Sequence, residues 1–215
     1  MKNFAFFVSA NATRLVKFLE QNSSVSFIKQ IKFVLIDNKK NNYLKKLCQD
    51  RDIVFYEIDY RNIIDKNMYI SNIFLEYLQL FKIDFAFIFA NKILVGEILL
   101  EYENKLINFH PSLLPAYKGL YAIDQGLEDG ALLLGNTAHI VTKDLDGGII
   151  VMQNIFPAID FKTYDDVLDK QLLMLKQLIL WIDTNRLIVK NNSVHILGAS
   201  YNIDNFIPNL ELIND

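Results

Sequence analysis

The chain has 215 residues, 52% hydrophobic and 22% charged, with a formal net charge of −3, so it can bury a substantial core, and it lacks the long basic run of a general nucleic-acid binder. A single cysteine, Cys48, excludes an internal disulfide and suits a reducing compartment, so a cytoplasmic location is expected. No stretch approaches the roughly 20 apolar residues of a membrane helix, so no membrane association is expected.

Asn3 to Val8 is an apolar run of strand length. Ala10-Asn11-Ala12 resembles an export cleavage site, but the apolar core before it, Phe4 to Val8, is too short for a signal peptide. Leu15, Phe18 and Leu19 follow at helical spacing, and the unit then recurs. Ile31 to Ile36 reads as a strand, Asn38 to Gln49 as a helix, Asp52 to Ile58 as a strand, Met68 to Phe81 as a helix and Asp84 to Phe89 as a buried strand. Such alternation implies parallel strands joined by right-handed crossovers. The sheet is expected to continue through Leu106 to Phe109, Thr137 to Val141 and Ile149 to Gln153.

Beyond Pro157, Thr163 and Asp166 form a capping pair, and Leu168, Leu172, Leu175, Ile179 and Ile182 mark one face of a long helix. Arg186 to Val189 and Val194 to Leu197 flank Lys190-Asn191-Asn192-Ser193 as a hairpin, and the polar tail from Gly198 carries no clear pattern. The expected class is α/β and Rossmann-like: a mostly parallel twisted sheet with helices on both faces, a long C-terminal helix and a small C-terminal β-hairpin. Residues 1–185 are expected to form the catalytic domain, with 186–215 as a hairpin and tail of the same domain.

Six of the eight glycines lie between Lys105 and Gly148, and none precedes Gly96. A Walker or dinucleotide loop in the N-terminal part is therefore not expected. Asn108 and His110 leave the end of one strand on the same face, because strand side chains alternate with period two, and Pro111 stops that strand. Asp146 precedes Gly147 and Gly148 in a turn after the strand around His139. Taken singly, each residue has an ordinary structural explanation. A strand-terminal Asn often satisfies loop backbone, a lone His is more often structural, and Asp before glycines is a common turn.

Together, Asn108-Phe109-His110-Pro111-Ser112-Leu113-Leu114-Pro115, Gly119 and Asp146-Gly147-Gly148 resemble the signature of folate-dependent formyltransferases. The overall arrangement is most similar to that of phosphoribosylglycinamide formyltransferases, and the core also occurs in methionyl-tRNA and nucleotide-sugar N-formyltransferases. The resemblance implies N10-formyltetrahydrofolate as donor, an amine as acceptor, and Asn108, His110 and Asp146 as the catalytic trio; nothing in that chemistry requires a metal. Formyl transfer to an amine passes through an oxyanion, which the Asn108 amide and a protonated His110 can stabilise, while Asp146 supports His110 and helps deprotonate the amine. His139 matches a family position and is expected to have a supporting or packing role, Ser112 to order the loop, and His195 to be structural.

The resemblance further implies that Lys92, Ile93, Leu94 and Val95, with Asp144, hold the pterin. It implies that Ser9, Asn11, Thr13 and Arg14 meet the acceptor. The purine enzymes carry Ser-Gly-x-Gly-Ser-Asn at that loop, whereas this chain has Ser9-Ala10-Asn11-Ala12-Thr13-Arg14. Loss of both glycines is expected to remove access to φ > 0. That points to an amino-deoxysugar nucleotide, such as dTDP-4-amino-4,6-dideoxyglucose, as acceptor, with phosphoribosylglycinamide as the alternative and a catalytically silent binding module as a third reading. A homodimer using the terminal hairpin is the assembly that the sugar enzymes imply.

Overall fold

A computed structural model describes residues 1–22, 26–37 and 40–211. They fall into two compact units, Met1–Ile107 and Asn108–Asp215. The first contains β1 (Phe4–Val8), α1 (Thr13–Gln21), β2 (Ile31–Asp37), α2 (Asn42–Gln49), β3 (Val54–Ile58), α3 (Lys66–Leu80), β4 (Phe85–Phe89) and a single turn, α4 (Ile98–Glu101).

Its strands run in the order β4-β1-β2-β3, all parallel. The five residues of β1, FAFFV, are all fully buried, as a continuous apolar strand must be when helices cover both faces of a parallel sheet. Alternation sends Phe6 toward Phe18 of α1, at 6.3 Å between ring centroids, and Phe7 toward Phe74 of α3, at 5.4 Å. The chain leaves β1 toward β2 and β3 and returns to its other side as β4. The carboxyl ends of β1 and β4 therefore form a topological switch point, where α/β sheets bind ligands.

Several boundaries differ from the sequence expectation for local reasons. The proposed start of α2 at Asn38 lies outside the described residues; the helix observed begins at Asn42, with the Asn41 side chain accepting from Leu44 N–H at 2.9 Å. In the same way Asp65 caps α3 through Met68 N–H, so that helix starts earlier than its apolar pattern. Asp52 has φ +56°, which delays β3 to Val54.

The second unit opens at the end of β5 (Leu106–His110) and continues with α5 (Ala122–Glu128), β6 (Leu133–Ile140), β7 (Ile150–Pro157), α6 (Tyr164–Asp183), β8 (Leu187–Lys190), β9 (Ser193–Ile196) and β10 (Phe206–Ile207). Here the sheet, expected to be mostly parallel, turns antiparallel: β6 with β7 and β7 with β10. The connection 141–149 contains no crossover helix, and only antiparallel neighbours can be joined that way. β6 also starts four residues before Thr137. Gly135 and Asn136, both poor strand formers, hide its beginning, yet they pair with Ile155 and Asn154.

Asn136 is fully buried and satisfied: its amide donates to Asn154 Oδ1 and Val167 O, and it accepts from Gln171 of α6 at 2.8 Å. Thr163 and Asp166 form the expected capping box of α6. The hairpin β8–β9 turns through Asn191 and Asn192, at φ +51° and +57°, as a two-residue type I′ turn requires. The tail, unreadable in the sequence, is held by backbone: Asn205 O accepts from Ile155 N–H at 2.8 Å, and β10 extends the sheet beside β7. The fold class is α/β and Rossmann-like, with the long C-terminal helix and small antiparallel hairpin expected. Among the described residues no helix is long and apolar enough to cross a membrane.

Candidate active site

In the second unit, β5 carries Asn108 and His110 on one face and ends where Pro111 begins the loop, as its missing N–H requires. The loop after it is tied down by polar side chains. Ser112 Oγ donates to Ala116 O at 2.7 Å, and Thr137 Oγ1 donates to Ser112 O and accepts from Leu114 N–H. Gln153 adds a bond to Leu114 O, next to the cis Leu114–Pro115 peptide. Ser112 thus has the loop-ordering contact expected of it.

Four polar side chains converge on this strand end. His110 is 5% exposed, and its Nε2 lies 2.7 Å from Tyr117 O. A carbonyl only accepts, so Nε2 carries the proton and Nδ1 faces Asp146 Oδ2 at 3.4 Å. Asp146 Oδ2 also accepts from Gly119 N–H at 2.9 Å. Its Oδ1 lies 3.5 Å from Nε2 of His139, and the same Nε2 is 3.1 Å from the half-buried Asn108 Nδ2.

Burial pushes the Asp146 carboxyl upward. The contact with His139, the Gly119 N–H and the neighbouring imidazoles outweigh that effect and hold it below the ordinary value of 3.8. The carboxylate is therefore ionised at neutral pH and leaves a negative site beside two histidines. A group so arranged can stabilise an imidazolium or accept a proton from an incoming amine.

The structure thus brings Asn108, His110 and Asp146 together and adds His139, for which the sequence suggested only support or packing. Sequence reasoning missed two backbone partners, Tyr117 O and Gly119 N–H. Gly119, at φ +83°, was announced by its glycine; Tyr117 reaches φ +53° without any signal in its residue type. Asp144 lies exposed in the following turn, where its carbonyl accepts from Gly147 N–H at 3.0 Å.

In the first unit, the loops after β1 and β4 meet: Ser9 N–H donates to Phe89 O, and Asn91 N–H donates to Ser9 Oγ, both at 3.2 Å. Contrary to the sequence expectation, the loop keeps its left-handed residues. Ala10 has φ +55° and Ala12 φ +51°, so alanine occupies the conformation that glycine would favour. Ala12 precedes α1 without a side-chain cap, and the first turn of α1 contains no acidic residue. Asn11 and Thr13 are exposed at this turn, and the Arg14 guanidinium stacks over Phe89 at 4.4 Å. Burial lowers the Arg14 pKa to about 10, which leaves it cationic at neutral pH.

On the neighbouring loop, Leu94 is buried, Val95 N–H donates to Ser71 Oγ at 2.9 Å, and Ile93 is exposed. The Lys92 ammonium sits 5.2 Å from the centroid of the Tyr60 ring.

Comparison with known proteins agrees with these features. The family described as "Formyl transferase" matches residues 2–180. Phosphoribosylglycinamide formyltransferase of Haemophilus influenzae is 29% identical over 208 residues, covering 93% of this chain and 96% of that protein. Glycinamide ribonucleotide transformylase 1 of Symbiobacterium toebii superposes with a TM-score of 0.80 at 25% identity, covering 92% and 94% of the two chains. A formyltetrahydrofolate deformylase of Pseudomonas syringae shares the fold, with a TM-score of 0.71 at 19% identity over 91% of this chain and 66% of that one. A match across most of the chain, on a fold with this strand-end cluster, places the protein in the formyl transferase family, the folate-dependent formyltransferases that use N10-formyltetrahydrofolate as formyl donor.

Proposed function

We propose that the protein transfers the formyl group of N10-formyltetrahydrofolate to the primary amine of glycinamide ribonucleotide. The observation that carries the acceptor is the backbone of Ala10 and Ala12. The loss of two glycines favours an amino-sugar acceptor only where the loop cannot reach φ > 0, and both alanines hold φ > 0. The loop then offers an uncapped helix N-terminus and a cationic Arg14, which together suit a phosphate monoester. The names of the relatives similar over nearly the whole chain favour the same acceptor.

For the donor, exposed Ile93 beside buried Leu94 gives an apolar surface on a non-helical segment, and such a segment offers backbone groups to a flat heteroaromatic ring. Lys92 on the same loop would meet an anionic portion of the donor.

In the reaction the amine attacks the formyl carbon, its bond to the new nitrogen forms, and the bond to N10 breaks. Asn108 directs an amide N–H at the developing oxyanion, the kind of contact worth roughly 10²–10³ in rate. His110 has both ring nitrogens engaged, by Tyr117 O and Asp146. In this arrangement its protonated form acts on the oxyanion through charge, and it can donate there only by releasing the Tyr117 carbonyl. Asp146 holds that charge and takes the proton of the attacking amine, directly or through water, and the proton passes on to N10 as its bond to the formyl carbon breaks, so tetrahydrofolate leaves as a neutral amine.

The test compares purified protein on glycinamide ribonucleotide and on a panel of dTDP- and UDP-linked amino-deoxysugars, with product followed by mass. A kcat/KM for glycinamide ribonucleotide well above every sugar is expected. A sugar turned over faster than glycinamide ribonucleotide would overturn this acceptor.

A further inference from the structure

We infer that His139 is a positioning residue for Asn108, fixing which end of that amide faces the reacting centre. His139 is 3% exposed inside β6, and its Nδ1 lies 3.1 Å from Ile140 O. Because a carbonyl can only accept, Nδ1 carries a proton, and in the neutral ring Nε2 then presents a lone pair. Asn108 Nδ2 stands 3.1 Å from that lone pair and donates one of its two hydrogens to it. Turning the amide over would set Asn108 Oδ1 against Nε2, acceptor against acceptor. The imidazole therefore selects one orientation of Asn108 and leaves its second N–H for the oxyanion. Asp146 Oδ1 is farther from the same Nε2, at 3.5 Å; a second ring proton at Nε2 would be drawn to that carboxylate and would turn Asn108 Oδ1 inward, so the neutral ring is the form that sets the amide.

The backbone is shaped around this tautomer. A Cβ on Gly148 would fall 1.6 Å from Ile140 O and 3.3 Å from His139 Nδ1. Only glycine lets the turn after Asp146 close over the carbonyl that takes the His139 proton. The chain thus sets Ile140 O, His139 and Asn108 in a row that ends at the Asn108 amide, a role distinct from filling a strand face.

The inference rests on the reading of Asn108 as an oxyanion donor, and the experiment separates the two. His139→Asn retains a group near Nδ1 but none at Nε2, whereas His139→Gln places an acceptor where Nε2 stands. With folding checked by thermal melting, His139→Asn should lower kcat by about 10- to 100-fold with little change in either KM, and His139→Gln should recover most of it. On an Asn108→Ala background the Asn substitution should cost nothing further. Equal turnover in the two His139 variants, or a full penalty on the Asn108→Ala background, overturns the inference. If Asn108→Ala itself turns over normally, the oxyanion reading fails first. Should the variants not fold, the wild-type ring still reports: nitrogen–proton NMR correlations should show His139 protonated at Nδ1 and bare at Nε2, and an Nε2–H signature at neutral pH overturns the inference.

Discussion

Asp146 links the two histidines of the candidate site: one buried carboxylate faces two imidazoles and a backbone N–H. Its folded pKa lies below its unfolded value, so its ionisation contributes stability above the ordinary carboxylate range, and that contribution is lost as pH falls through the depressed value. Asp146→Asn should therefore melt below wild type at pH 7, and the gap should close in acid, below about pH 4; a gap independent of pH would contradict the assignment. Its turnover should fall more than its donor affinity. Asn108→Ala and His110→Ala should fold and lose roughly 10²- to 10³-fold in kcat, the usual cost of an oxyanion partner; near-normal steady-state rates in both would remove them from the chemistry. The alignment of Asn108 with His110 was legible because strand alternation is a two-residue rule. The Gly119–Asp146 bond was not, because it joins residues 27 apart through a backbone group that has no residue-type signature.

At the scale of elements, the loop from Ser9 to Ala12 is where sequence reasoning failed. Replacing glycine by alanine raises the energy of φ > 0 without forbidding it, and neighbouring bonds from Ser9 to Phe89 and Asn91 hold the loop in place. Left-handed alanine costs roughly 1–2 kcal/mol, while the extra unfolded-state freedom of glycine costs about 0.4–1 kcal/mol, so strain relief should win. Ala10→Gly and Ala12→Gly should each raise stability in urea by up to about 1 kcal/mol with acceptor KM preserved. A loss of comparable size would mean that the loop does not rest at φ > 0. The long helix α6 and the hairpin were legible because capping box, heptad-like spacing and Asn-Asn turn act within a few residues. The start of β6 was not: a buried Asn136 reads as a loop until Asn154 and Gln171 supply its partners from elsewhere in the chain.

For the molecule as a whole, the parallel α/β half was legible from its alternating strands and helices, whereas antiparallel β6 and β7 depend on a loop too short for a crossover and β10 is placed by the tail's backbone bonds to β7. The same fold supports a deformylase as well as transferases, so architecture leaves the fate of the formyl group to the site. The account requires that group to end on an amine. The direct measurement follows tetrahydrofolate release from N10-formyltetrahydrofolate by the purified chain, with and without glycinamide ribonucleotide, while mass spectrometry counts the formylated product. Release should depend on the amine and match the formylated product one for one; release at the same rate without amine, with formate as product, would contradict it.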